Sequence, residues 1–402
     1  MNREFENPEP DNSELETPES ASGAASAGEI TASGAASAGE ISPAEMDELR
    51  QSIDEVDGEL VRLLDKRARL ARRIGEVKQA RGLHAYAPDR ERKVFDRVTS
   101  LSAGDFPRRG LESVFREIIS SSISLEAPLK IAYLGPEATF TQEAARRSFG
   151  RSVELEPQST VAEVFARVES GEAQHGVVPV ENSMEGTVSH TFDELMSSPL
   201  KICGEVYLPV SQNLLARGSS LENIEVVRSH PMALAQAGAW LHRELPRAAI
   251  EEVESTGEAA RLAAEEPGSA AVGSLLAAES HGLAVLARNI QDARANATRF
   301  IVIGRSWAGR TGRDKTSVVF AFKDRPGGLI EALGVFSDEG INLTRIESRP
   351  SRQKAWTYVF FIDLQGHPED EHVGRALAVL EERCTYVGLI GAYPEVDSGD
   401  GE

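Results

Sequence analysis

Cysteine is nearly absent. Cys203 and Cys384 are the only two in 402 residues; they lie far apart without metal-ligand spacing, so neither a disulfide framework nor a zinc site is indicated, and a reducing cytoplasm is the expected compartment. Positive charge is also short. Against 64 acidic side chains stand 43 basic ones, a formal net charge of −21, which argues against a chain-wide surface for nucleic acid or acidic membrane, because such surfaces need cations to displace counterions. An anionic substrate must therefore meet cations concentrated locally. There is no run of about 18 apolar residues, and residues 1–19 lack the basic and apolar regions of a secretory signal. The expectation is a chain that neither spans nor crosses a membrane. No dinucleotide or phosphate loop occurs, and no cofactor or metal is expected.

What is present divides into blocks. Residues 1–42 carry nine acidic side chains and one basic, with one ten-residue sequence written at 21–30 and again at 32–41; such composition predicts a disordered tail. From 43 to 127 the pattern is helical, and basic and acidic residues balance at 16 each over 43–126. Ser42 and Pro43 read as N-cap and first helical residue, after which Ile53, Val56, Leu60, Leu63, Leu70, Ile74 and Val77 recur at a near-heptad period up to Gly82. One helix of roughly 55 Å follows at 1.5 Å per residue. That outreaches a compact domain of this size and predicts packing against a second copy. Further helices are expected near 88–101 and 107–125. From 129 to 307 short apolar runs alternate with helical stretches, which implies an α/β sheet. After a polar break at 308–315, a strand, helix, strand, strand, helix, strand order predicts a ferredoxin-like sandwich over 315–394, with 395–402 as a short tail.

On the long helix Arg67 lies seven residues after Leu60 and seven before Ile74, and Lys78 eleven beyond Arg67, so both cations fall on or near the apolar stripe. Burying charge requires carboxylate partners or a bound anion. Ser122 and Glu126 follow Ile118 at spacings of four on the third helix. A coiled coil with snorkelling charges explains the same spacing. However, Leu49-Arg50, the segments 63–67 and 74–78, and Asp89-Arg90-Glu91-Arg92 resemble the all-helical chorismate mutase family. The resemblance implies Arg67, Lys78 and Arg90 as clamps on substrate carboxylates and ether oxygen, Arg50 reaching a partner's site, Glu91 binding a hydroxyl, Ser122 as a further contact, and Glu126 facing the ether oxygen. Lys78, Arg90 and Glu126 are the expected catalytic groups. Glu126 donates there only when protonated, and Ala87 stands where many members carry Asp. A unit retained only for dimerisation is the alternative that Ala87 supports.

In the next block, Thr139-Phe140-Thr141 precedes a helix opened by Gln142-Glu143, where free amides and hydroxyls suit an anion, although Thr141 is equally an ordinary N-cap. Glu181-Asn182-Ser183 ends a strand, Ser229-His230-Pro231 precedes Gln236, and Asn296-Ala297-Thr298-Arg299-Phe300 leads into another strand. Together these resemble prephenate dehydratase, which implies two α/β lobes, similar to periplasmic binding proteins, around a cleft. The chain is expected to leave the first lobe near Tyr207 and return near Ile290. Thr298 is the expected donor to the leaving hydroxyl; Asn182, Ser229, Gln236, Thr139 and Thr141 are expected to bind substrate. Arg299 either clamps a carboxylate or pairs with Glu181. His230 reads as a turn residue before it reads as a base.

The last block resembles the ACT amino-acid sensor, through Gly327-Gly328-Leu329 at a helix start, Asn342-Leu343, and Glu347-Ser348-Arg349-Pro350. The resemblance implies an effector site between subunits with phenylalanine as inhibitor, or an ACT unit that serves only to dimerise. The expected whole is a multidomain enzyme acting on chorismate and prephenate, a homodimer or higher homo-oligomer, with the helical unit, the two-lobed α/β unit and the α+β sensor in that order.

Overall fold

The structure is a computed structural model and describes residues 42–81, 86–218, 220–293, 296–350 and 358–397. The expected tail at 1–41, the helix end at Gly82 and residues 398–402 lie outside these. Two compact units divide the chain, Met1–Glu59 and Leu60–Glu402. In the first, helix α1 (Pro43–Ala80) begins with a reciprocal cap: the Ser42 amide donates to Glu45 Oε2 at 2.8 Å and the Glu45 amide to Ser42 Oγ at 3.2 Å. Two of the helix's otherwise unpaired groups are thereby satisfied.

The second unit carries the rest. Helices α2 (Pro88–Leu101) and α3 (Arg108–Glu126) precede a first lobe of β1 (Lys130–Leu134), α4 (Phe140–Phe149), β2 (Glu154–Gln158), α5 (Val161–Ser170), β3 (His175–Asn182), β4 (Gly186–Thr187), α6 (Ser189–Ser197) and β5 (Lys201–Pro209). The chain then builds a second lobe from β6 (Asn213–Ala216), β7 (Val226–Ser229), α7 (Pro231–Gln236), α8 (Gly238–Glu244), β8 (Ala249–Glu252), α9 (Thr256–Glu265), β9 (Ser269–Gly273), α10 (Leu275–His281) and β10 (Ala284–Ala287), and returns by β11 (Ala297–Gly304). Second-lobe strands run in the order β10-β6-β9-β7-β8. The exit and return fall where the sequence suggested. Helix α4 opens at Phe140, earlier than expected, so Thr141 lies inside it and is not its cap.

The C-terminal block is β12 (Asp314–Ala321), α11 (Gly328–Asp338), β13 (Leu343–Pro350), β14 (Tyr358–Gln365), α12 (Glu371–Arg383) and β15 (Tyr386–Pro394), the expected order. Its strands do not form a sheet of their own. They join the first lobe in one sheet of order β13-β14-β12-β15-β5-β11-β3-β1-β2, fused where Gly391 of β15 pairs in parallel with Ile202 of β5. Two further expectations change here. Asp314 and Lys315, read as part of a polar break, are buried in β12. Paired carboxylates and hydroxyls make that burial tolerable: Lys315 Nζ donates to Glu205 Oε1 at 2.9 Å, and Asp314 accepts from the Thr311 hydroxyl at 2.6 Å. Residues 395–397 are also no loose tail, since the Val396 amide donates to Glu205 Oε1 at 3.2 Å and Arg313 pairs with Glu395.

Candidate active sites

Helices α1 and α3 approach closely because α1 presents Ala71 and Gly75, both buried, to its neighbour. A Cβ on Gly75 would sit 2.8 Å from Glu126 Cα. This face is flanked by the two cations. Arg67 Nη1 donates to the Ile118 carbonyl at 3.2 Å and to Ser122 Oγ, while Lys78 Nζ donates to Glu126 Oε2 at 2.9 Å. Burial lowers the Arg67 guanidinium from its ordinary value, and the Glu126 carboxylate opposes that shift. The apolar stripe itself faces elsewhere: Leu60, Leu63, Leu70, Ile74 and Val77 are each more than half exposed. At 100° per residue Ala71 and Gly75 lie about 40° and 80° round from Arg67 on one side and Leu63 and Leu70 about 40° and 60° on the other. Arg67 thus stands at the border between two faces.

Three further residues expected at a mutase site stand as follows. Arg50, in the first unit, is exposed and pairs with Asp47. Arg90 is exposed at the start of α2 and has no side-chain partner among the described residues. Glu91 lines a separate cavity of about 310 Å³ with Tyr86, Phe95, Arg116 and Arg147. Burial pushes its carboxyl up to about 7, against the pull of Arg116.

The second cluster lies where β3 and β11 run antiparallel with Thr298 opposite Asn182 and Arg299 opposite Glu181. Asn182 Nδ2 donates to Thr298 Oγ1 at 2.8 Å and to Asn296 Oδ1 at 2.9 Å, while its Oδ1 accepts from the amides of Met184 and Glu185. With its oxygen accepting from Asn182, the Thr298 hydroxyl is left to donate its own proton elsewhere. From the second lobe Gln236 Nε2 donates to Glu185 Oε1 at 3.4 Å, and its Oε1 accepts from Gln212 Nε2 at 3.0 Å. Asn296 and Gln212, absent from the expected set, are buried, and each has one amide atom unpaired among the described residues. Asn296 was findable: it stands two residues before Thr298, hence on the same face of an extended chain. Gln212 carried no such signal.

Four expected contacts are corrected. Ser229 is fully buried and its hydroxyl donates to the Val272 carbonyl at 2.6 Å, so its donor is spent inside the second lobe's sheet. Thr141 is buried in α4, and the Thr139 hydroxyl donates to the Pro136 carbonyl at 3.0 Å. Arg299 does not pair with Glu181. It is buried on the far side of β11 from Thr298, with Nε donating to Glu205 at 2.9 Å and Nη1 to Asp363 at 2.5 Å, which leaves no fork for a substrate carboxylate. Glu181 pairs instead with Arg345 at 2.8 Å. His230 accepts from the Met232 amide through Nδ1 at 3.3 Å and caps α7, the structural role expected of it.

In the C-terminal block Gly327, with positive φ, is the N-cap of α11, and Gly328 and Leu329 open that helix. Asn342 Nδ2 donates to Gln365 at 3.1 Å beside Leu343. Along β13 side chains alternate. Glu347 accepts from Thr187 Oγ1 at 2.8 Å and Arg349 donates to Ser189 Oγ at 2.6 Å, so both dock onto the first lobe, while Ser348 and Pro350 are exposed. Half of the expected effector segment therefore points into the protein, as the period of two requires.

Three family patterns match the chain: chorismate mutase type II over residues 49–127, prephenate dehydratase over 131–307 and the ACT domain over 316–382. A bifunctional chorismate mutase/prephenate dehydratase of Aquifex aeolicus is 49% identical over 355 residues, covering 87% of this chain and 98% of that protein. One of the same description from Neisseria gonorrhoeae is 42% identical over 348 residues, covering 86% and 96%. Among solved structures, prephenate dehydratase from Arthrobacter aurescens in complex with L-Phe is 37% identical with a TM-score of 0.62, covering 67% of this chain and 91% of that one.

Proposed function

The chain belongs to the bifunctional chorismate mutase/prephenate dehydratase family, and from that premise we propose that it rearranges chorismate to prephenate between α1 and α3 and converts prephenate to phenylpyruvate, water and carbon dioxide between the two lobes. The first reaction needs no nucleophile. It needs the substrate held in a compact conformer and the ether oxygen stabilised as its bond to carbon breaks. Arg67 and Lys78 supply cations, Ser122 a hydroxyl, and Glu126, when protonated, a donor. Arg50, Arg90 and Glu91 are assigned to the same site by family resemblance. The exposed stripe of α1 supports a homodimer as the assembly that completes it, since a contiguous apolar surface of that kind marks an interface.

In the second reaction the carboxylate leaves as carbon dioxide while the ring hydroxyl departs as water. Thr298 is the donor to that hydroxyl, held by Asn182, with Asn182, Gln236, Asn296 and Gln212 as substrate contacts. A threonine hydroxyl is a weak acid, so the proton must be relayed through it. Neither reaction requires a metal or redox cofactor. Phenylalanine is the inhibitor, bound at the ACT unit near Gly327, Gly328, Leu329 and Asn342. Among the described residues no helix is long and apolar enough to cross a membrane, and a cytoplasmic location suits both metabolites.

The observation that carries the bifunctional reading is the meeting of Arg67 and Lys78 with Ser122 and Glu126. The test is purified protein supplied with chorismate, with prephenate and phenylpyruvate followed separately. Arg67→Ala should lower prephenate formation about a hundredfold or more, a loss of about 3 kcal/mol in transition-state stabilisation, while dehydration of added prephenate continues. Thr298→Ala should let prephenate accumulate. A wild-type chain that forms no prephenate leaves the helical unit as a dimerisation element.

A further inference from the structure

Directly behind Thr298, on the opposite face of β11, lies a buried ionic network that joins the first lobe to the ACT unit. Arg299 of β11 donates to Glu205 of β5 at 2.9 Å, to Asp363 of β14 at 2.5 Å and to the Tyr393 hydroxyl of β15 at 2.9 Å. Lys315 of β12 donates to Glu205 at 2.9 Å and to the Tyr207 hydroxyl at 3.3 Å, and Ser317 donates to Asp363 at 2.5 Å. Two cations are balanced by two carboxylates, all four buried, and one carboxylate belongs to the ACT unit. Beside this network the register of β11 against β3 shifts between Arg299 and Phe300, with Val180 of β3 as the extra residue, so a bulge of β3 lies against Arg299, next to the residue that faces Asn182. A bulge re-aims its neighbouring side chains, and whatever fixes it fixes their direction.

We propose that Asp363 of the ACT unit is a positioning residue of the dehydratase site: by holding the Arg299 guanidinium it pins the bulge and so aims the Thr298 hydroxyl. The proposal rests on the reading of Thr298 as donor. Arg299 has three directional partners; two come from the ACT unit, so the orientation of β11 at Thr298 depends on a unit outside the Thr298–Asn182 cluster. A guanidinium fork fixes geometry as well as charge, and small displacements of a donor weigh on turnover more than on binding.

Asp363→Asn keeps the shape and an acceptor for Ser317 but removes the charge facing Arg299. In the full chain its kcat for prephenate should fall tenfold or more with KM within twofold, and mutase turnover should be unchanged. In a Thr298→Ala background the same substitution should cost less than twofold, because no hydroxyl remains to aim. Full kcat in Asp363→Asn, or an equal loss in both backgrounds, would overturn the proposal. If Asp363→Asn loses mutase activity as well and so has not folded, Tyr393→Phe decides, with a threefold or greater loss of kcat expected under the same two criteria. Full turnover in Thr298→Ala alone sinks the donor reading and the positioning role with it, whereas an inactive Thr298→Ala beside a fully active Asp363→Asn sinks the positioning role alone.

Discussion

Glu91 keeps its proton in the folded chain up to about pH 7, whereas an unfolded chain releases it near pH ~4.3. Between those values the unfolded state binds fewer protons, so stability falls as pH rises through the window and is level above it, by about 4 kcal/mol at most. Glu91→Gln should flatten that slope in urea unfolding measured at pH 5, 6 and 8, and should stabilise the chain most at pH 8. Equal slopes in the two proteins would show that the carboxyl is not held neutral by its surroundings. Asp363 behaves in the opposite sense. Burial raises its pKa, but Arg299 and Ser317 outweigh that and hold it below the usual carboxylate range, so its contribution is present at neutral pH and is lost on acidification. Residue types announced neither case, since both signs come from neighbours brought in by the fold.

At the scale of elements, the packing of α3 on α1 depends on a missing side chain at Gly75. Gly75→Ala would place Cβ 2.8 Å from Glu126 Cα and 2.9 Å from its Cβ, contacts that backbone cannot yield without moving α3. The expected cost is about 1–3 kcal/mol of overpacking, with prephenate formation lost before unfolding because Lys78 and Glu126 separate; a mutase rate within twofold of wild type would show that α3 gives way freely. Much of this layer was legible beforehand. The start of α2 at Pro88, the cap at Ser42 and the order of the C-terminal strands follow from a proline at the first helical position, a capping residue and periods of 3.6 and 2. Which face of α1 meets α3 was not, because the apolar stripe and the small-residue face are neighbours and only the second packs within the described residues. Nor was the inward turn of Lys315, Arg345 and Arg349, charged residues whose partners lie 110, 164 and 156 positions away. Patterns within a window of a dozen residues contain no information on such pairs.

Across the whole molecule the decisive feature is that sensor and catalytic lobe share one sheet. The junction is a single parallel pairing, Gly391 with Ile202, and a Cβ on Gly391 would lie 2.5 Å from Ile202 Cβ and 2.6 Å from its carbonyl oxygen. Gly391→Ala should therefore part β15 from β5 and draw Tyr393, two residues on, away from Arg299. A ligand alters turnover only through an element whose arrangement it biases, and this sheet joins the ACT unit to the strand that carries Thr298. The expected result is a lower dehydratase kcat and a phenylalanine inhibition curve shifted tenfold or more to higher concentration, with prephenate formation from chorismate unchanged. Separate measurement of the two rates during a phenylalanine titration checks this. Inhibition at the wild-type concentration, in a variant with reduced kcat, would mean that the signal passes instead through the docking of β13 on the first lobe, where Arg345 meets Glu181 and Arg349 meets Ser189. Glu181 adjoins Asn182, so that second route also ends at the Thr298 hydroxyl, but from the opposite neighbouring strand.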